Sequence, residues 1–336
     1  MLLHASEQPV HQGFIKVPGE ELYYQQFGLP AKEKLPIVVL HGGPGMDQSY
    51  LLPQMLELTK DREVIFYDQR SSGKSSTHPF DPGQITMKRF VDDLEAVRKH
   101  FGFQKMILLG HSWGGVLAAE YAINYPNHVA GLMLLDSVPM TLSGMKVFDQ
   151  KCAHQLNTIQ PVLDDLKHSE SFQRGDSKTV EQWYRMVFET YCVKKNDAQK
   201  ITLYFSKATA LNGPKIEKII GENFYSHLYD LRPELHRLTI PVLIIHGAQD
   251  PVPVKTAEES HHAFANSKLV ILNPCGHFSY VEQPKKCFEA IRNTRYKAID
   301  VLNESPLGQL HMFSEIRQNL EKEIENIRNQ EVMPKL

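Results

Sequence analysis

The sequence predicts an α/β protein: an open, doubly wound, mostly parallel sheet with a helical cap inserted after the sixth strand. Three observations predict it. Short, nearly continuous apolar runs bounded by Gly, Pro or Asp recur along the chain, as strands buried on both faces require. Helical patterns fall between those runs, which implies right-handed strand–helix–strand crossovers. From about residue 137 to 236 the alternation stops, and helical stretches such as "TVEQWYRMVFETYC" appear with no strong strand candidate.

The elements follow in order. "GFIKV" and "ELYYQQFG" alternate around "PGE", a β-hairpin pattern. The buried-strand runs are "LPIVVL" (35–40), "EVIFY" (63–67), "KMILLG" (105–110) and "VAGLMLL" (129–135), then "IPVLII" (240–245) and "SKLVIL" (267–272). "TMKRFVDDLEAVRKHFG" places Met87, Phe90, Val91, Leu94 and Val97 on one helical face and stops at Gly102. "GGVLAAEYAINYP" is a second helix, closed by Pro126. The expected organisation is a core of 1–136 and 237–294, a helical cap of 137–236 and an extension of 295–336. In that extension Leu310, Phe313, Ile316, Leu320, Ile324 and Ile327 repeat every three or four residues, an amphipathic helix suited to packing on its own body or in a homo-oligomer.

Composition excludes several classes. With 42% hydrophobic and 23% charged residues the chain is ordinary for a globular protein, and a net charge of −2 offers nothing to nucleic acid or an anionic membrane. The start has neither the basic nor the apolar region of a signal peptide, and no apolar run is long enough to span a bilayer, so the expected location is cytoplasmic. Cys152, Cys192, Cys275 and Cys287 show no C-x-x-C spacing and read as free thiols.

The chemistry gathers around "LLGHSWGG" (108–115). Gly110, Ser112 and Gly114 form a G-x-S-x-G between a buried strand and a helix, the setting of a nucleophilic serine on a strained turn. A serine nucleophile needs a base and a group that orients the base. In the doubly wound hydrolase layout these follow in the order acid, then histidine, each past the carboxyl end of a strand. "IPVLIIHGAQDPVP" places Asp250 there, and "SKLVILNPCGHFSYVEQP" places His277; Asp136 in "LLDSVP" is a competing acid. His111, beside the serine, is assigned to packing. "HGGPG" (41–45) offers backbone donors for an oxyanion. Pro44 has no N–H, so Gly43 is the natural donor there, and the N–H of Trp113 is the second. "GKS" in "YDQRSSGKSS" is no phosphate loop, because Asp68 stands where the leading glycine belongs. Asp68 and Arg70 are expected to tie the neighbouring loops together.

With HGGPG, DQRSSG, GHSWGG, HGAQD and GH in this order, the sequence resembles the α/β-hydrolase superfamily, and within it the proline iminopeptidase and tricorn-interacting aminopeptidase branch, over about residues 14 to 294. The resemblance implies a serine hydrolase with a helical cap that removes an N-terminal residue, often proline, from short peptides. It puts Ser112, Asp250 and His277 on the triad positions and Gly43 and Trp113 on the oxyanion positions. Such enzymes hold the substrate's free amine with carboxylates, for which Glu189, Glu217 and Glu222 are the candidates. The chain departs from the family at Ser71, in place of a usual glycine, and at Pro251, where some relatives carry glutamate.

Two other functions compete: an esterase or amidase acting on small substrates without a free amine, and a non-catalytic binding protein of the same fold. Epoxide hydrolase or dehalogenase chemistry would need an aspartate where Ser112 stands. The expected partner is a short peptide or a small ester or amide, with no cofactor and no metal.

Overall fold

The computed structural model describes residues 8–31, 34–76, 79–226 and 229–294. The expected helix of the extension lies outside them. Strands β1 (His11–Val17) and β2 (Glu20–Phe27) form the hairpin, Val17 pairing with Glu20 across the turn. The other strands are β3 (Ile37–Leu40), β4 (Val64–Tyr67), β5 (Met106–His111), β6 (Val129–Leu135), β7 (Val242–Gly247) and β8 (Ser267–Leu272). Together they make one eight-stranded sheet among the described residues, in the order β1-β2-β4-β3-β5-β6-β7-β8. β1 and β2 run antiparallel, and every pair from β4 through β8 is parallel.

Burial follows from position in the sheet. Every residue of β3 to β7 is buried, because helices cover both faces, whereas the edge strands β1 and β8 alternate with exposed residues. Helix α1 (Met87–His100) is capped by Thr86, whose hydroxyl accepts from the Arg89 N–H. Helix α2 (Trp113–Asn124) follows β5 directly; it is nearly all apolar and buried from Trp113 to Ala119 because it lies inside the molecule.

Between β6 and β7 come helices α3 (Leu142–Leu156), α4 (Gln160–His168), α5 (Glu170–Gln173), α6 (Ser177–Tyr191), α7 (Lys207–Ser226) and α8 (Arg232–Leu235). Helix α9 (Val254–Ala263) crosses from β7 to β8, and α10 (Ser279–Glu282) and α11 (Pro284–Arg292) follow β8. No helix among the described residues is long and apolar enough to cross a membrane.

Strand order positions the site. The chain leaves β3 toward β4 on one side and returns as β5 on the other, so the sequence of strands reverses at β3. A crevice opens at the carboxyl ends at such a reversal. Leu40 pairs with Gly110, His111 with Leu135, Leu135 with Ile245, and Gly247 with Leu272. The turns carrying residues 41–45, 112, 136, 250 and 277 therefore leave the sheet along one edge.

Candidate active site

Ser112 has φ 56° and ψ −122°, a conformation that L residues avoid. Its surroundings hold it there. Ser112 N–H donates to the Leu135 carbonyl at 3.0 Å, and its own carbonyl accepts from Gly115 at 3.0 Å and Val138 at 3.3 Å. The glycines of the motif are steric. A Cβ on Gly110 would stand 2.2 Å from the Gly114 carbonyl oxygen, and one on Gly114 would stand 2.2 Å from that of Leu40.

His277 Nδ1 lies 3.0 Å from both oxygens of Asp250. Asp250 Oδ1 also accepts from the Val252 N–H at 2.7 Å. Burial opposes the Asp250 charge, but the His277 and His246 rings and these hydrogen bonds outweigh it and hold the pKa below the ordinary value. The same contest runs in His277: burial lowers its pKa, while the charge and hydrogen bond of Asp250 raise it further, leaving it above 6.5. Asp136, the competing acid, makes no hydrogen bond to the His277 ring among the described residues. It accepts from the N–H groups of Gly247 at 3.0 Å and Ser279 at 2.9 Å, so it braces the two loops that carry Asp250 and His277.

Ser112 and His277 line one cavity of about 380 Å³ together with Gly43 and Trp113. Among the described residues Ser112 Oγ makes no hydrogen bond, and it shares the wall of that cavity with His277. Catalytic hydrogen bonds commonly tighten only once substrate is bound.

The turn of residues 41–45 is set from behind. Gln69 N–H donates to His41 Nε2 at 2.9 Å, which leaves the proton of His41 on Nδ1, where it meets the Gly42 carbonyl at 3.1 Å. Burial lowers the His41 pKa to about 4, so this neutral form persists. In a trans peptide the C=O and the next N–H point in opposite directions. Holding the Gly42 carbonyl toward His41 thus turns the Gly43 N–H the other way. Gly42 N–H is committed to Tyr50 Oη at 2.5 Å, whereas Gly43 N–H has no partner among the described residues. Trp113 N–H, at the first residue of α2, has no acceptor within the helix.

The far walls come from the helices between β6 and β7, each presenting one face at helical spacing. α3 supplies Met145, Phe148, Asp149, Cys152 and Leu156; α6 supplies Trp183, Tyr184, Val187, Phe188 and Tyr191; α7 supplies Glu217, Ile220, Gly221, Phe224 and Tyr225. The lining is largely apolar, with two carboxylates on the helices, Asp149 and Glu217. Glu217 opens onto the cavity; the surrounding walls raise its pKa, Lys167 partly counters them, and Asp149 adds to the rise. Asp149 accepts from the Tyr225 hydroxyl.

Glu189 and Glu222 are not in that wall. Glu189 accepts from Gln199 Nε2, and Glu222 is exposed, 3.8 Å from Lys218. Both sit off the lining faces of α6 and α7. Asp149 was missed by sequence reasoning, although the spacing 145, 148, 149, 152, 156 was there to be read. Asp68 does tie loops, accepting from Gln48 N–H at 3.0 Å and Lys74 N–H at 2.8 Å, but Arg70 instead forms a buried two-point pair with Asp93 of α1. Ser71 has φ 56°, which explains why glycine suits that position.

The thiols offer no competing nucleophile. Cys152, Cys192, Cys275 and Cys287 are all free, and burial pushes the Cys275 pKa far up and that of Cys152 to about 11. Polar atoms of Asp136, His246 and Asp250 lie within 4.8 Å of one another, a spacing that could hold a metal. His246 Nε2, however, donates to the Val252 carbonyl at 2.9 Å, so it has no lone pair to give, and both aspartates are engaged as above.

A family model described as alpha/beta hydrolase fold matches residues 36–284. The proline iminopeptidase of Saccharolobus solfataricus is 31% identical over 293 residues, covering 84% of this chain and 91% of that protein. The proline iminopeptidase of Lactobacillus crispatus is 29% identical over 302 residues, covering 84% and 97%. Among solved structures, the proline iminopeptidase of Mycobacterium smegmatis superposes with a TM-score of 0.61 at 24% identity, covering 84% of this chain and 96% of that one.

Proposed function

The chain belongs to the α/β-hydrolase fold family, in its proline iminopeptidase branch, and on that premise we propose that it is a serine aminopeptidase releasing an N-terminal residue, proline favoured, from short peptides. Ser112 Oγ attacks the scissile carbonyl while His277 Nε2 takes its proton. Asp250 fixes the imidazole through Nδ1 and stabilises the imidazolium. The tetrahedral oxyanion lies between the N–H groups of Gly43 and Trp113. His277 then protonates the leaving amine, and water, deprotonated by the same imidazole, frees the acyl group from Ser112.

One observation favours the peptidase reading over the esterase reading: a cavity lined mostly by apolar side chains carries two solvent-reached carboxylates, Asp149 and Glu217, on the wall it shares with Ser112. An ammonium group taken from water needs such partners, and a neutral ester does not. The helices between β6 and β7 act in this reading as the cap that closes the amine end of the site.

A fluorophosphonate probe should label the wild type and not Ser112→Ala. Prolyl and other aminoacyl arylamides should turn over at least tenfold faster than their N-acetylated forms. Equal rates on blocked and free substrates would leave a serine hydrolase of the esterase or amidase kind.

A further inference from the structure

His111 precedes the nucleophile and is fully buried, with both ring nitrogens in use. Nε2 lies 2.9 Å from the backbone carbonyl of His277, which can only accept, so Nε2 carries the proton. Nδ1 is then an acceptor, and Tyr50 Oη, 2.8 Å away, donates to it. Tyr50 Oη in turn accepts from the Gly42 N–H at 2.5 Å. The donors run one way, from Gly42 through Tyr50 and His111 to the His277 carbonyl. Burial, aided by the nearby His277, lowers the His111 pKa to about 3, so the ring stays neutral and the direction of the chain is kept near neutral pH.

We infer that Tyr50 and His111 are positioning residues, joining the oxyanion turn to the backbone of His277 so that both keep one spacing about Ser112. One end of the chain lies beside the nucleophile and the other on the backbone of the proposed base. Gly42 adjoins the proposed donor Gly43 and comes so near that a Cβ on it would stand 2.7 Å from Ser112 Cβ. Rings hold the middle in place: His111 stacks on Phe278 at 5.7 Å, and the Tyr280 hydroxyl donates to the Tyr50 carbonyl at 2.9 Å. Packing alone would be met by phenylalanine at position 50. Removing the hydroxyl leaves a buried Gly42 N–H and a buried His111 Nδ1 unpaired, and a shift of the turn is the available relief. Such a shift weakens stabilisation of the tetrahedral intermediate more than binding of the substrate.

The inference rests on the acyl-transfer reading, which fluorophosphonate labelling at Ser112 tests by itself. The experiment compares wild type with Tyr50→Phe, His111→Gln and the double variant, measuring kcat and KM on a free aminoacyl arylamide and inhibition by an aminoacyl boronic acid. Glutamine at 111 can present its Nε2–H to the His277 carbonyl as the ring does, while its single acceptor, Oε1, no longer stands where Nδ1 received the Tyr50 hydroxyl. In each single variant kcat should fall about tenfold or more with KM within about twofold, and boronate affinity should fall with kcat. The double variant should be no worse than the worse single one, because both cut the same chain. Wild-type kcat and boronate affinity in Tyr50→Phe, losses that multiply in the double variant, or a loss confined to KM would each overturn it. If Tyr50→Phe does not fold, the kcat and boronate comparison in His111→Gln decides alone. A wild-type enzyme that the fluorophosphonate fails to label would overturn the acyl-transfer reading beneath it.

Discussion

Asp250 keeps its charge in a fully buried position because one imidazole stands 3.0 Å from both its oxygens. The pair has a consequence for pH. The base must be neutral to accept the Ser112 proton, and Asp250 stabilises its charged form. The acid limb of kcat/KM should therefore have its midpoint above 6.5, activity being lost as pH falls through it. Asp250→Asn removes the strongest of the charges that raise the pKa, with Asp136 and Glu282 remaining, and leaves the burial that lowers it. The limb should move to lower pH, and kcat should fall about 10³–10⁴-fold. A pH–rate profile of both proteins checks this. Glu217 supplies the other prediction at this scale. If it binds the substrate amine, Glu217→Gln should lower kcat/KM for free aminoacyl arylamides about 10- to 100-fold, the worth of one charge-assisted hydrogen bond. Hydrolysis of a small neutral ester should stay within about twofold, as steady-state kinetics on the two substrates will read out.

The elements explain why so few residues can occupy the elbow. Helix α2 starts one residue after Ser112, so its first turn crosses the end of β3 at backbone distance. In Gly114→Ala the added methyl meets a main-chain carbonyl, which cannot swing aside as a side chain would. The cost should be about 3 kcal/mol, read as a lower denaturation midpoint. Gly102 is the control. Its φ of +67° disfavours alanine, but nothing lies within 4 Å, so Gly102→Ala should cost only about 1–2 kcal/mol. The three cavity-facing helices show the opposite economy. α3, α6 and α7 each give the cavity one narrow face, so a shift of register by one residue takes a side chain out of its wall. That is how Glu217 lines the cavity while Glu222, on the same helix and likewise exposed, does not.

Across the whole molecule, the sheet order gathers chemistry from distant parts of the chain. Residues 43, 112, 250 and 277 meet because β3, β5, β7 and β8 point the same way and end at one edge. All of the candidate site falls within the unit Met1–Thr294. A protein ending at Thr294 should therefore keep fluorophosphonate labelling at Ser112. If the apolar stripe of 310–327 mediates a homo-oligomer, the shortened protein should also elute as a smaller species with a monomer mass by light scattering. The buried strands, the elbow serine and the order of acid and histidine were legible in the sequence, because each is a local pattern: an apolar run, a glycine spacing, a loop just past a strand. Continuous apolar runs fixed β3 to β7, and the G-x-S-x-G between strand and helix marked Ser112. What the linear chain could not supply was distance. Whether Asp136 or Asp250 meets the imidazole, which carboxylate of the helices between β6 and β7 lines the cavity, and that His111 carries hydrogen bonds from Tyr50 to His277 are questions of approach between segments far apart in sequence. They are decided by sheet order and helix rotation, because hydrogen bonds and close-range charge interactions act over a few ångströms and only the folded chain sets that separation.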